Sequence, residues 1–199
     1  ADVLLGTQMV AKGLDFPNVT LVGVVNADAG MLLPDFRSEE RTFQLLTQVA
    51  GRAGRAELKG EVIFQTRNPE HAALRFATTH DYAGFAGEAL PERKVFGYPP
   101  FGRVVGVEFR GPQEATVAEV AERWTSVLLA QAGHLQVLGP EPAFVGRVKR
   151  QYRYHTIIKL PPSFRAAGLQ KLLRCTNARA GRPPKGYRVA IDVDAVGLF

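Results

Sequence analysis

Cysteine is nearly absent. Cys175 is the only one in 199 residues, which excludes a disulfide framework and any zinc site built on paired thiolates within this chain. No apolar run approaches the roughly 20 residues that a membrane-spanning helix needs, and no segment has the layout of a signal peptide. The expected location is therefore the cytoplasm. His71, His80, His134 and His155 are scattered without ligand spacing, so no metal site is expected. A phosphate-binding GxxxxGK loop ending in Ser or Thr is missing too. Gly181 and Gly186 have the right separation, but Tyr187 stands where the lysine belongs. No acidic DExH-type run follows a buried strand, Val25-Asn26-Ala27-Asp28 being the nearest. By itself the chain is not expected to hydrolyse a nucleotide. It has no internal repeat, no low-complexity tract and no initiator Met. It opens Ala1-Asp2-Val3-Leu4-Leu5 straight into an apolar run, as an excised piece or a processed N-terminus would.

What is present is unevenly distributed charge. Residues 1–99 carry 10 Lys/Arg against 12 Asp/Glu, a net of −2, whereas residues 100–199 carry 15 against 7, a net of +8. Between Glu141 and Asp192 there are 12 basic residues and no acidic one. A basic excess can be a solvated surface, but an acid-free stretch of this length points to a polyanionic partner, and nucleic acid is the common one. Hydrophobic content of 46% and charged content of 22% are those of an ordinary globular protein.

The first half reads as α/β. Val3–Leu5 and Val19–Val25 are apolar runs without alternation, as strands buried on both faces of a parallel sheet should be. Residues 39–50 have helical spacing, with Phe43, Leu46 and Val49 or Ala50 on one side. Glu61–Thr66 is a further strand, Asn68-Pro69 opens a helix, and another helix runs from about Tyr82 to Lys94 with a break at Pro91. Tyr98-Pro99-Pro100-Phe101-Gly102 is the best boundary, dividing the chain into 1–97 and 98–199. Beyond it Val105, Val107 and Phe109 alternate. Residues 113–132 form an amphipathic helix with Val117, Val120, Ala121, Trp124 and Leu128 on one face, and Val137–Pro140 reads as strand then turn. In Gln151–Leu160, Tyr152 and Tyr154 share a face with Thr156, Ile158 and Leu160. Ser163 caps a helix to about Ala180, and Tyr187–Val193 alternates again. The order β-α-β-β-α-β predicts a split, ferredoxin-like α+β domain.

Gln48-Val49-Ala50-Gly51-Arg52-Ala53-Gly54-Arg55 is the strongest signal in the chain. A QxxGRxGR segment after a buried strand and a helix resembles motif VI of the superfamily-two helicases. Arginine suits that place because a guanidinium clamps phosphate oxygens bidentately and offsets charge developing in phosphoryl transfer. Glycine lets the backbone approach closely. Upstream, the stretch Gly6-Thr7-Gln8 through Lys12-Gly13-Leu14-Asp15-Phe16-Pro17 resembles motif V of the same superfamily. Pro34-Asp35-Phe36-Arg37-Ser38-Glu39-Glu40-Arg41, Gln44–Gln48, Tyr98–Phe101, Leu138-Gly139-Pro140 and Arg153–Lys159 narrow the resemblance to the PriA family of primosomal replication-restart helicases, over nearly the whole chain. One departure is Ala195, where that family usually has proline.

The resemblance implies a partial second RecA-like lobe on a parallel sheet over 1–97, followed by a DNA-binding α+β domain over 98–199. It implies that Arg52 and Arg55 act on the γ-phosphate of ATP, that Gln48, Gly51, Gly13 and Asp15 lie toward the nucleotide, and that Thr7 touches the DNA backbone. ATP and Mg²⁺ would belong to the parent protein, with zinc held upstream of this chain. Its partners would be forked and single-stranded DNA, the acidic tail of the single-stranded DNA-binding protein and other primosome proteins, and it would work as a monomer. The expected activity is 3′-to-5′ unwinding driven by ATP. The alternative is a non-motor DNA-binding and primosome-loading factor. Arg147, Lys149, Arg150 and Arg153 are the expected phosphate contacts. Tyr152 and Tyr154 are either stacking platforms or core residues. Arg165, Lys171 and Arg174 share a helix that could meet an acidic peptide.

Overall fold

The computed structural model describes residues 3–7, 19–51 and 60–197, which fall into two compact units, residues 1–91 and 92–199. In the first, β1 (Leu21–Val24) and β2 (Glu61–Phe64) pair in parallel, Leu21 against Glu61 through Val24 against Phe64. A 3-10 turn at Ala27–Gly30 and helix α1 (Ser38–Ala50) lie between them in sequence, and α2 (Ala72–Thr78) and α3 (Tyr82–Val95) follow. The spacing read for α1 holds: Phe43, Leu46 and Val49 are buried. Phe43 stacks on Phe85 of α3 with centroids 4.6 Å apart, and Leu74, Ala73 and Ala77 of α2 complete this core. Asp35 starts α1 by accepting the Arg37 N–H (2.9 Å) and a hydrogen bond from Arg41 Nη1 (3.0 Å).

Four local expectations are corrected. Both strands alternate exposed and half-buried residues instead of burying both faces, with Leu21 and Ile63 open to solvent; the described residues cover one face of this pair. Val3, Leu4 and Leu5 form no strand and are exposed, because a ladder needs a neighbouring strand and none of the described ones lies beside them. Helix α2 begins at Ala72, not at Pro69. Its cap is His71, whose Nδ1 accepts the Ala73 N–H at 3.2 Å, while the Asn68 N–H is taken by Thr66 Oγ1 at 3.0 Å. Pro91 lies inside α3. So near the helix end it removes one backbone bond without stopping the coil.

The second unit carries β3 (Arg103–Gly111), α4 (Glu114–Ala132), β4 (Gln136–Val148), β5 (Gln151–Leu160), α5 (Ala166–Ala180) and β6 (Arg188–Val193). The sheet order is β4-β5-β3-β6, antiparallel throughout. Each helix thus joins two strands that enclose a third, the split βαβ arrangement expected from the sequence. Val105, Val107 and Phe109 face Val117, Val120, Ala121, Trp124 and Leu128 across one core, with Ile158, Leu160, Leu169 and Leu173. Trp124 meets Phe109 edge-on at 5.9 Å and donates its indole N–H to Asn177 Oδ1 at 2.6 Å. The helix read from Ser163 starts instead at Ala166, because the Phe164 N–H closes a turn on the Pro161 carbonyl (3.0 Å). Strand β4 runs on past the turn expected at Gly139-Pro140.

The connection into this unit is tightly set. Helix α3 ends with the Tyr98 N–H on the Arg93 carbonyl (2.8 Å) and the Gly97 N–H on that of Lys94 (3.3 Å). Gly97, at φ +65°, is the left-handed residue that closes such an end. Gly102 then passes against this turn and against the Leu160 carbonyl. Arg103 locks the start of β3 to the end of β6 by a bidentate pair with Asp194, at 2.9 and 2.7 Å. That bond holds the Asp194 carboxyl below its ordinary range.

Candidate nucleic-acid interface

Four of the twelve cations from the acid-free stretch, Arg147, Lys149, Arg150 and Arg153, lie at or beside the turn from β4 into β5. Val148 pairs with Gln151, so Lys149 and Arg150 alone make the hairpin turn. Both are left-handed, at φ 49° and 65°, the geometry of a type I′ turn that Asn-Gly usually fills. Two non-glycine residues in that region cost about 1 kcal/mol or more each. Here a lysine and an arginine accept it, and both side chains are exposed at the tip. Arg147 is exposed on the same hairpin, its guanidinium 4.9 Å from the Tyr152 ring centre.

Arg153 sits differently. Its Nε donates to Glu108 Oε2 at 2.6 Å, and Glu108 also pairs with Arg110. The register places Arg110 between Arg153 on β5 and Arg188 on β6, a row of three arginines across the sheet's helix-free side, with Glu108 set against two of them. Tyr152 and Tyr154 lie half-buried against the helix-covered core, as the second of the two readings had it. Further along β5, burial holds His155 below its ordinary value despite Glu141 Oε1 at 3.7 Å. Burial also lowers Lys159, whose Nζ donates to the Phe96 carbonyl (2.9 Å) and lies 3.8 Å from the centre of the Tyr98 ring.

Of the motif residues in the first unit, Arg52, Arg55, Gly13 and Asp15 lie outside the described residues. Thr7 is exposed in an irregular segment, and Gln48 is exposed on the last turn of α1. Gly51 ends that helix at φ −72°, its N–H on the Thr47 carbonyl at 3.1 Å. An added Cβ there would make only ordinary contacts, at 3.6 Å or more. Nothing in the described fold demands glycine at this position. At the open ends of β1 and β2, Asp28 accepts from the Thr66 hydroxyl (2.6 Å) and the Arg67 N–H (2.8 Å). The Thr66 bond, first of these, lowers its pKa. These contacts tie the two loops together and leave the carboxylate engaged in the fold.

Residues 94–196 match the family described as primosomal protein N C-terminal domain, more than half of the chain. The chain belongs to the PriA family. Residues 1–57 match the helicase conserved C-terminal domain, a RecA-like lobe. Among the relatives, Replication restart protein PriA of Bacillus subtilis is 46% identical over 172 residues, 86% of this chain and 21% of that protein. Its namesake in Synechocystis is 44% identical over the whole chain and 23% of the relative. That of Treponema pallidum is 41% identical over the whole chain and 30% of the relative. The chain therefore spans between about a fifth and a third of the length of these proteins. Ala195, the departure from the PriA pattern, is buried, and its N–H donates to the Val104 carbonyl at 3.3 Å, a bond that proline could not make. Among the described residues no helix is long and apolar enough to cross a membrane.

Sequence reasoning did not find Arg110 or Arg188, whose place beside Arg153 depends on strand register. It did not find Phe144 either, an exposed aromatic on β4.

Proposed function

We propose that this chain is the DNA-holding end of a replication-restart protein. Its C-terminal unit grips forked and single-stranded DNA by the phosphates, through Arg147, Lys149 and Arg150 at the β4–β5 hairpin, with Arg153 and Thr7 as further contacts. The observation that carries this reading is the hairpin turn, where two cations occupy left-handed positions that Asn-Gly would fill at lower cost. Together with a first RecA-like lobe, the first unit completes an ATPase that drives 3′-to-5′ unwinding. By the family motifs, Arg52 and Arg55 would hold the γ-phosphate, and Gln48, Gly51, Gly13 and Asp15 would serve the nucleotide site. Bound ATP and Mg²⁺ supply the phosphoryl transfer that powers movement. An exposed Gln48 and a Gly51 with no conformational reason to be glycine fit a nucleotide approaching this end of α1. The intact Gln48–Arg55 motif favours a motor over a non-motor loading factor. Replication-restart partners, including the tail of the single-stranded DNA-binding protein, follow from the same family reading. So do zinc in a segment upstream and a monomeric state, while the two prolines after Tyr98 suggest a domain boundary at 97/98 and the composition a cytoplasmic location.

The test is the double variant Lys149→Asn with Arg150→Gly, which keeps the turn type and removes two charges. Thermal stability should be unchanged or raised, while the log-log salt dependence of single-stranded DNA affinity should flatten by about 1.4. Unchanged affinity and slope would remove the hairpin from the interface.

A further inference from the structure

Strand β4 is interrupted beside the cationic turn. Pro142 pairs with Tyr154 and Arg147 with Tyr152, so that Ala143, Phe144, Val145 and Gly146 all stand against Arg153 alone. A bulge of this size re-aims the side chains it carries. Ala143 turns in and is buried, but Phe144 is 61% exposed and Val145 50%. β4 is also the edge of the sheet, where exposed apolar residues invite unwanted pairing and are normally replaced by charge. An aromatic ring held out on a bulge, three residues before the first of three cations, is therefore a placement the fold does not need. The tyrosines of β5 are half-buried against the core, with Arg147 over the Tyr152 ring, which leaves Phe144 as the hairpin's most open aromatic ring.

We infer that Phe144 is a base-stacking residue: its ring packs on an unpaired base of single-stranded DNA whose neighbouring phosphates meet Arg147, Lys149 and Arg150. This rests on the DNA reading above. An aromatic face beside a cationic backbone track is what sequence-tolerant recognition of single strands uses, since every base offers a π-face. No carboxylate is contributed between Glu141 and Asp192, so nothing within this stretch repels the strand. Duplex DNA keeps its bases stacked on one another and gives the ring nothing to cover. The preference is thus for the unpaired strand of a fork over its paired arms.

The experiment compares the whole chain and its Phe144→Ala and Phe144→Trp variants on an unstructured single-stranded oligonucleotide, the same length with abasic sites, and a blunt duplex, across a salt series. Phe144→Ala should weaken single-strand binding about 5- to 150-fold with the salt slope unchanged, because no charge is lost. Phe144→Trp should restore it. Abasic substitution should weaken the parent chain and leave Phe144→Ala little affected, and duplex affinity should be the same for all three. Trp124, the only tryptophan and part of the core, reports in Phe144→Ala that the unit stays folded. If Phe144→Ala binds the single strand like the parent while the parent shows normal salt-dependent binding, the stacking role is overturned, as a protein contact at the bulge would require, and the DNA reading stands. If the parent chain itself shows no salt-dependent binding, both fall.

Discussion

Replacing Arg52 or Arg55 by Ala, in a protein that joins this chain to a first RecA-like lobe, is expected to lower DNA-stimulated ATP turnover by about 10³- to 10⁵-fold. The size of the effect follows from what a guanidinium does that other side chains do not. It is planar, always charged and able to hold two phosphate oxygens at once. Its contribution is largest when charge spreads over the transferring phosphoryl group, so kcat should fall far more than the affinity for ATP. Lys at either position keeps the charge and loses the fork, and should recover little. DNA binding by the second unit should be untouched, since its cations lie in a separate part of the chain. Steady-state ATP hydrolysis with and without single-stranded DNA measures the first point, and binding of the same variants measures the second. Turnover within a few-fold of an active parent would contradict the motif VI assignment, whereas no turnover in the parent itself would favour the non-motor reading.

Gly102→Ala should unfold the second unit's N-terminal connection. A Cβ at Gly102 would lie far inside contact distance of the Gly97 carbonyl oxygen, 3.0 Å from the Gly97 carbonyl carbon and 3.2 Å from the Leu160 carbonyl oxygen. All three are backbone atoms, so no side chain can rotate away. Relief requires breaking the helix end at Gly97 or pulling β5 from its place, and the expected loss is about 3 kcal/mol. In a unit of this size that is a fall of roughly 10–20 °C in melting temperature, read by Trp124 fluorescence. Gly146→Ala is the control, since its Cβ would meet only the Ala143 carbonyl at an ordinary 3.6 Å. A Gly102→Ala melt matching the parent would show that the connection yields more cheaply than its packing implies.

The second unit was the more legible half. Alternation at Val105, Val107 and Phe109, and helical spacing from Val117 to Leu128, each record burial of one face of one element. A single sequence shows such local patterns directly. Element ends were less legible because they are decided by competition for a few N–H groups: His71 caps α2 in place of Asn68, and the turn at Phe164 delays α5 past Ser163. The Val3–Leu5 run showed what it could bury, but whether it becomes a strand depends on a neighbour. At the interface, the charge run was visible and its arrangement was not. Lys149-Arg150 has none of the Asn-Gly signature of a tight hairpin, and the bulge that exposes Phe144 exists only through pairing with β5. The row formed by Arg188, Arg110 and Arg153 joins residues far apart in sequence. The helicase motifs were legible as patterns of residue type, the one kind of site evidence that needs no geometry.

The claim that the basic second unit holds nucleic acid by its phosphates is tested most directly by titrating the chain with forked and single-stranded DNA over a range of salt concentrations. Phosphate contacts release counterions, so log affinity should fall linearly with log salt, at a slope of about −2 or steeper on single strands for three or more contacts. Affinity that stays flat as salt rises, or no binding at low salt, would contradict it.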